Sequence, residues 1–193
     1  MAEYTSRSFD LLTLGQLLLR LSPPDNDRLS RGDTFVKQVG GAELNVAVGA
    51  SLLGLRTGVI SKLPSHDIGS FMKGKIRSFG VSDDFFMYDD SPSARVGIYY
   101  YENGAYPRKP KVIYDRMNSS FFSLNIDEIP KEVYTASKCF HTTGITLALS
   151  PQIRETTIEM IKRFKEAGTL VSFDVNFRGN LWSGDEAREC ILK

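Results

Sequence analysis

Residues 34–54 read Thr-Phe-Val-Lys-Gln-Val-Gly-Gly-Ala-Glu-Leu-Asn-Val-Ala-Val-Gly-Ala-Ser-Leu-Leu-Gly. Within this stretch the hydrophobic period changes. Thr34 to Val39 alternates with period two, which predicts a half-solvated strand, and Gly40-Gly41 punctuates it. From Ala42 to Leu53 the residues Leu44, Ala47, Val48 and Leu52 recur on one face, which predicts a helix closed by Gly54. Working outward, Thr57 to Leu63 and Phe9 to Gly15 each form a short apolar run fit for a buried strand. Gln16 to Leu21 continues extended into a Ser22–Asp27 loop. Ile68, Phe71, Met72, Ile76 and Phe79 keep helical spacing up to Gly80. Strand and helix therefore alternate, which predicts an α/β fold with a parallel sheet and crossover helices.

The middle of the chain breaks that rhythm. Ala94–Glu102 and Lys111–Arg116 are β-branched and aromatic, and they flank the turn-rich Asn103-Gly104-Ala105-Tyr106-Pro107. This predicts a hairpin-like insertion with one polar face, standing outside the main layer. The alternation then returns. Lys138–His141 is a short strand, and Ser150-Pro151 opens a helix with Ile153, Met160, Ile161 and Phe164 inward. Gly168 ends that helix and Thr169–Asp174 is another buried strand. Ser183-Gly184-Asp185-Glu186 has the spacing of a capping box. The helix it opens reaches Lys193 with no Gly, Asn or Pro stop, so the α/β fold is expected to continue beyond that residue.

Composition narrows the function classes. A net charge of +1 without a Lys/Arg run argues against nucleic-acid binding. No apolar run approaches membrane-spanning length, and no signal-peptide core precedes Phe9. Two cysteines, Cys139 and Cys190, make neither a disulfide framework nor a metal spacing; both are expected as buried free thiols in a cytoplasmic protein.

Three polar groupings carry chemistry. Gly40-Gly41 sits at a strand-to-helix junction, where backbone can approach a ligand closely and helix-start N–H groups can bind oxygen-rich groups. By spacing alone a tight turn explains it as well, and no Gly-Lys-Ser/Thr follows to make a Walker loop. Asp174-Val175-Asn176-Phe177-Arg178 follows a buried strand, where open α/β sheets bind ligands. A solvated loop is the alternative. Tyr114 and Arg116 share a parity and a face, with Tyr99 on the other inserted strand. An arginine there can fork onto a carboxylate or phosphate, although aromatic cross-strand packing also accounts for the tyrosines. His66 and His141 are the only histidines, and His141 is expected to be structural because no nucleophile motif accompanies it.

Taken together these segments resemble the PfkB, or ribokinase-like, carbohydrate kinases. Gly-Gly-Ala-Glu-Leu-Asn-Val-Ala at 40–47 is similar to that family's N-terminal signature. Residues 143–150, 174–182 and 112–116 resemble its ketodeoxygluconate branch. The resemblance implies a three-layer α/β/α sandwich with a small β-sheet lid. The main domain would be 9–16, 40–93 and 117–193, and the lid 17–39 and 94–116. It further implies that Gly41, Asn45 and Arg178 hold a sugar from the main domain. Tyr99, Tyr114 and Arg116 would hold it from the lid, with Ile145 packed nearby. ATP and Mg²⁺ would be the cofactors, serving mainly through residues outside these 193, and lid sheets would pair in a homo-oligomer. The family's base lies in a Gly-Ala-Gly-Asp helix start, which these 193 residues lack. The resemblance places the family's Asn-x-x-Glu metal-associated motif downstream as well, so the chain by itself is expected to be inactive. Gln16 departs from the family's Gly-Glu pair, which leaves one polar contact by the first strand open.

The two arginines favour an anionic acceptor. A neutral hexose has no charge to pair, and two guanidinium groups in one pocket call for one. 2-Keto-3-deoxygluconate is the expected substrate and its 6-phosphate the product. Fructokinase is the alternative, and a non-catalytic sugar-binding or dimerisation module is the alternative of another class.

Overall fold

Leu12, Leu14 and Ile60 face one side of a parallel sheet, Val59 and Leu63 face the other, and both sides are buried. The computed structural model describes residues 6–192. Met1–Thr5, part of the stretch searched for a signal peptide, and Lys193, where the last helical pattern ends, lie outside the described residues.

In chain order the strands are β1 (Phe9–Leu14), β2 (Leu18–Ser22), β3 (Val36–Gly40), β4 (Thr57–Pro64), β5 (Val81–Ser82) and β6 (Phe86–Asp89), followed by β7 (Gly97–Glu102), β8 (Lys111–Asp115), β9 (Ser137–Thr143) and β10 (Leu170–Asp174). The helices are α1 (Ala42–Leu52), α2 (Asp67–Arg77), α3 (Val133–Ala136), α4 (Gly144–Ala148), α5 (Pro151–Glu166) and α6 (Gly184–Ile191). A parallel sheet runs β10-β9-β1-β4-β5, with β6 also paired to β4. All eight residues of β4 are buried, as a strand covered on both faces requires.

One core packs Leu12, Leu14, Ile60 and Phe140 under Ile153, Met160 and Phe164 of α5. Phe140 and Phe164 stack at 4.1 Å between centroids, and Tyr134 meets Phe164 edge-on at 5.1 Å. A second core on the opposite face joins Val59 and Leu63 to Leu44 and Ala47 of α1 and to Met72 and Ile76 of α2. Helices on both faces make three layers, and the predicted α/β/α class holds.

A four-stranded sheet, β3-β2-β7-β8, stands apart from the parallel one. β2 is antiparallel to β3 and parallel to β7, and β7 is antiparallel to β8. One of its faces contributes Leu19, Leu21, Val39 and Ile98 to the second core, which fixes the sheet to α2. The opposite face carries Arg20, Tyr99, Tyr101 and Tyr114, and strand alternation makes the two faces exclusive.

Local signals behave as their chemistry dictates. Ser150 Oγ caps α5 by accepting from Ile153 N, with Pro151 at the first position. Gly168 ends that helix at φ 72, a conformation that costs other residues a clash. The Ser183–Glu186 capping box is present in both directions. His66 caps α2, its Nδ1 accepting from Ile68 N.

Other expectations need correction. Leu52 is 75% exposed, because it sits about 80° round the helix from Leu44 and at its last turn. α2 stops at Arg77, leaving Phe79 outside the helix and exposed. Cys139 and Cys190 are free but only half-buried. β5, β6 and α4 have two, four and five residues, too short for a periodicity to register. No helix among the described residues is long and apolar enough to cross a membrane.

Candidate functional site

A cavity of about 550 Å³ opens between the polar face of the small sheet and the carboxyl ends of β1, β9 and β10. Ligands of open α/β sheets bind in such a crevice. Gly41, Asn45, Tyr99, Tyr114, Arg116, Ile145 and Arg178 all line it. Gly41, Tyr99, Tyr114, Arg116 and Arg178, drawn from all three polar groupings and separated by up to 137 residues, thus share one space, whereas Asp174 and Asn176 do not line it.

Each side chain has a structural reason for its place. Gly41 links β3 to α1, and a Cβ there would lie 2.9 Å from the Gln16 carbonyl oxygen. Only glycine lets these two backbones approach so closely. Asn45 stands one turn into α1, its N–H donating to Gly41 O at 2.9 Å. Tyr99 and Tyr114 are directly opposed on β7 and β8, with ring centroids 5.9 Å apart. Cross-strand pairing therefore builds an aromatic wall. Ile145 follows Thr143, whose Oγ1 accepts from Ile145 N at the start of α4. Arg178 lies on the exposed loop after β10, where its Nη1 donates to Phe177 O at 3.2 Å.

Arg116 sits just past the end of β8, where its Nε and Nη2 donate to Gln16 Oε1 at 2.8 and 2.6 Å. Its guanidinium also lies 5.6 Å from the Tyr114 ring centroid. Burial pushes its pKa below the ordinary arginine value, while Tyr114 and Glu43 pull it back up. It stays protonated, as arginine does in proteins. Burial likewise raises the Tyr99 hydroxyl, opposed by Arg20. His141 is buried, with Nδ1 bonded to Ser172 Oγ at 3.0 Å.

Glu43 and Arg20 are among the cavity residues that escaped the sequence reading. Glu43 is 2% exposed and accepts from the Thr143 and Thr146 hydroxyls at 2.7 Å each. An acid in a first helical turn usually serves the helix dipole at the surface, and nothing in the sequence marked it as inward. Arg20 stacks 4.2 Å above Tyr101 and adds a third arginine. Its signal was a lone cation inside the apolar run Leu17–Leu21. Of the two carboxylates lining the cavity, Asp115 is already paired with Arg95 at 2.7 Å. The electrostatic balance therefore favours an anion.

Gln16, the residue left open beside the first strand, is 3% exposed and bonded through both ends of its amide. Among the described residues no group of three or more His, Cys, Asp or Glu side chains could hold a metal ion.

This combination of doubly covered parallel sheet, small four-stranded sheet and polar crevice has known counterparts. A model of the pfkB family carbohydrate kinases matches residues 8–193. The chain belongs to that family. It is 40% identical over 180 residues to a 2-dehydro-3-deoxygalactonokinase of Haloferax volcanii, covering 93% of this chain and 56% of that one. To a 2-dehydro-3-deoxygluconokinase of Bacillus subtilis it is 31% identical over 175 residues, covering 90% and 53%. The crystal structure of a 2-dehydro-3-deoxygluconokinase from Thermotoga maritima superposes with a TM-score of 0.90 at 34% identity, over 95% of this chain and 56% of that one. The chain thus spans about half the length of the curated relatives it matches.

Proposed function

We propose that this protein phosphorylates a sugar acid with ATP, taking 2-keto-3-deoxygluconate to its 6-phosphate. The observation that carries this reading is the convergence of Arg116 and Arg178 on one cavity with Gly41, Asn45, Tyr99, Tyr114 and Ile145. Two guanidinium groups suit a carboxylate, the Asn45 amide and the tyrosine hydroxyls suit sugar hydroxyls, and Ile145 gives the apolar contact. The small sheet, with segments 17–39 and 94–116, would act as the lid over a main domain of 9–16, 40–93 and 117–193. A lid excludes water from a phosphoryl-transfer site and so suppresses hydrolysis of the donor.

These residues bind and orient the acceptor; the base and the nucleotide belong elsewhere. Phosphoryl transfer needs an acceptor hydroxyl within hydrogen-bond reach of a base. No Gly-x-Gly-Asp helix start occurs in the sequence, so we assign the base to a residue outside these 193. No described residue is assigned to Mg²⁺ or to the nucleotide, and the chain alone is proposed to be inactive. The test is competition binding of 2-keto-3-deoxygluconate against fructose. Tighter binding of the acid supports the reading, whereas tighter binding of fructose replaces it with fructokinase.

Assembly through the small sheet is a second element of the proposal. Val36, Val112 and Ile113 on its two edge strands are all exposed, as is Phe35 beside β3. Unpaired edges invite pairing with a second copy. Sedimentation of the protein with Ile113→Lys is the check; an unchanged mass would count against this edge.

A further inference from the structure

Glu43 is buried in the first turn of α1, where acids ordinarily face solvent. Its Oε1 accepts from the Thr143 and Thr146 hydroxyls, both buried. Its Oε2 lies against Gly15, where any side chain would collide with it. One carboxylate thus touches three segments that reach the cavity: α1, which carries Asn45; the turn from β1 into Gln16; and the junction of β9 with α4, which carries Ile145.

The junction depends on that contact. α4 has five residues, too few for a helix to hold by its own backbone bonds. Thr143 caps it, its Oγ1 accepting from Ile145 N at 3.1 Å while its hydrogen goes to Glu43. With the proton committed to the carboxylate, a lone pair of the hydroxyl is left for the Ile145 N–H. The bonds therefore run from Glu43 through Thr143 to Ile145. Contact carries the order further. Gly144 packs so closely on the Val175 carbonyl that a Cβ would strike it, and Val175 begins the loop that leads to Arg178.

We infer that Glu43 is a positioning residue for sugar binding: its carboxylate ties α4 and the loop beside it to α1, and so holds Ile145 and Arg178 in register with Gly41 and Asn45. This rests on the reading of the cavity as a sugar site, whichever sugar it takes. What acts is the acceptor geometry. A glutamine keeps an oxygen that accepts from both threonines, whereas methionine fills similar space and offers only a weak acceptor. The Glu43 charge also favours protonated Arg116, but arginine is protonated in proteins without that help.

Trp182 supplies a readout, because it is the sole tryptophan, is buried, and packs on Leu147 and Ala148 of α4. The experiment is calorimetric titration of the intact protein with 2-keto-3-deoxygluconate and with fructose, beside Trp182 emission and a thermal scan. The samples are wild type, Glu43→Met, Glu43→Gln and Thr146→Val, at a temperature where each is folded. Glu43→Met should bind the sugar that wild type prefers about tenfold more weakly, which is ~1.4 kcal/mol, with Trp182 emission shifted. Glu43→Gln should stay within about threefold of wild type and keep its emission. A Glu43→Met variant with a lowered Tm but unchanged affinity and emission overturns the inference, because a residue serving stability alone would behave so. A Glu43→Gln variant as weak as Glu43→Met also overturns it, since charge rather than geometry would then be what Glu43 supplies. If Glu43→Met does not fold, Thr146→Val decides, because it removes one bond to Glu43 and leaves the Ile145 cap: weakened binding with shifted emission supports the inference, and unchanged binding overturns it. A wild type that prefers fructose overturns the sugar-acid reading alone, and Glu43 is then judged on fructose. A wild type that binds neither sugar overturns the sugar site and this inference with it.

Discussion

Replacing Arg116 by alanine removes one of the three guanidinium groups of the cavity and unpairs the residue that holds it. The consequences fall on two separate observables. A hydrogen bond to a charged group is worth about 1.5–3 kcal/mol, so the loss for a bound carboxylate is roughly 10- to 150-fold in affinity. A neutral ketose makes no such ion pair, and its affinity should fall only about 2- to 13-fold, the scale of a neutral hydrogen bond. The second observable is stability. Arg116→Ala strips both donors from Gln16 Oε1 in a side chain only 3% exposed. An orphaned buried acceptor costs about 1–3 kcal/mol, and water from the adjoining cavity should hold the cost near the lower end. For a chain of this size each kcal/mol lowers Tm by about 2–4 °C. The assay is therefore paired: competition titration of 2-keto-3-deoxygluconate and fructose, and a thermal scan of the same samples. A double-mutant cycle with Gln16→Ala isolates the contact, because residues that share hydrogen bonds are not additive. Equal losses for both sugars would refute the carboxylate role. A purely additive cycle would refute the claimed grip of Gln16.

Phe164→Ala should cost about 3–5 kcal/mol by urea denaturation, since Phe164 is fully buried between Phe140 and Tyr134. Asp10 accepts from Lys138 at 2.7 Å and from Arg56, which hold its carboxyl well below the usual carboxylate range. That stability is present above the unfolded pKa near 4 and is lost as pH falls below it; Asp10→Asn should lower Tm at pH 7 by an amount that shrinks toward pH 2. Burial holds the His141 imidazole below its ordinary value, with Glu43 and Asp174 opposing. The unfolded chain therefore binds the proton first, and stability should decline as pH drops through about 6.5 toward the lower folded value. Stability against pH for His141→Gln should lack that step, and an unaltered step would assign it to another group.

The alternation of β4, α2 and the neighbouring elements was legible because burial on both faces leaves continuous apolar runs, and burial on one face leaves a period. Caps at Ser150 and Ser183 were legible because they satisfy local N–H groups within three residues. The parallel pairing of β2 with β7 was not legible in spacing. It joins segments almost eighty residues apart, and the resemblance implied only that both belong to one small sheet. Glu43 was hidden for a related reason. Its burial depends on two threonine hydroxyls about a hundred residues downstream, which no local pattern announces.

The residues alone determined the fold class, the family and seven of the residues that line the cavity, because each rests on local periodicity or on a contiguous motif. Tertiary structure decided how those side chains are held. It set Arg116 against a neutral amide rather than a carboxylate, paired Asp115 away from the cavity, and turned Glu43 and Arg20 into its lining. The physical reason is that charge balance in a buried site is a sum over groups brought close in space, and no stretch of chain contains more than a part of that sum.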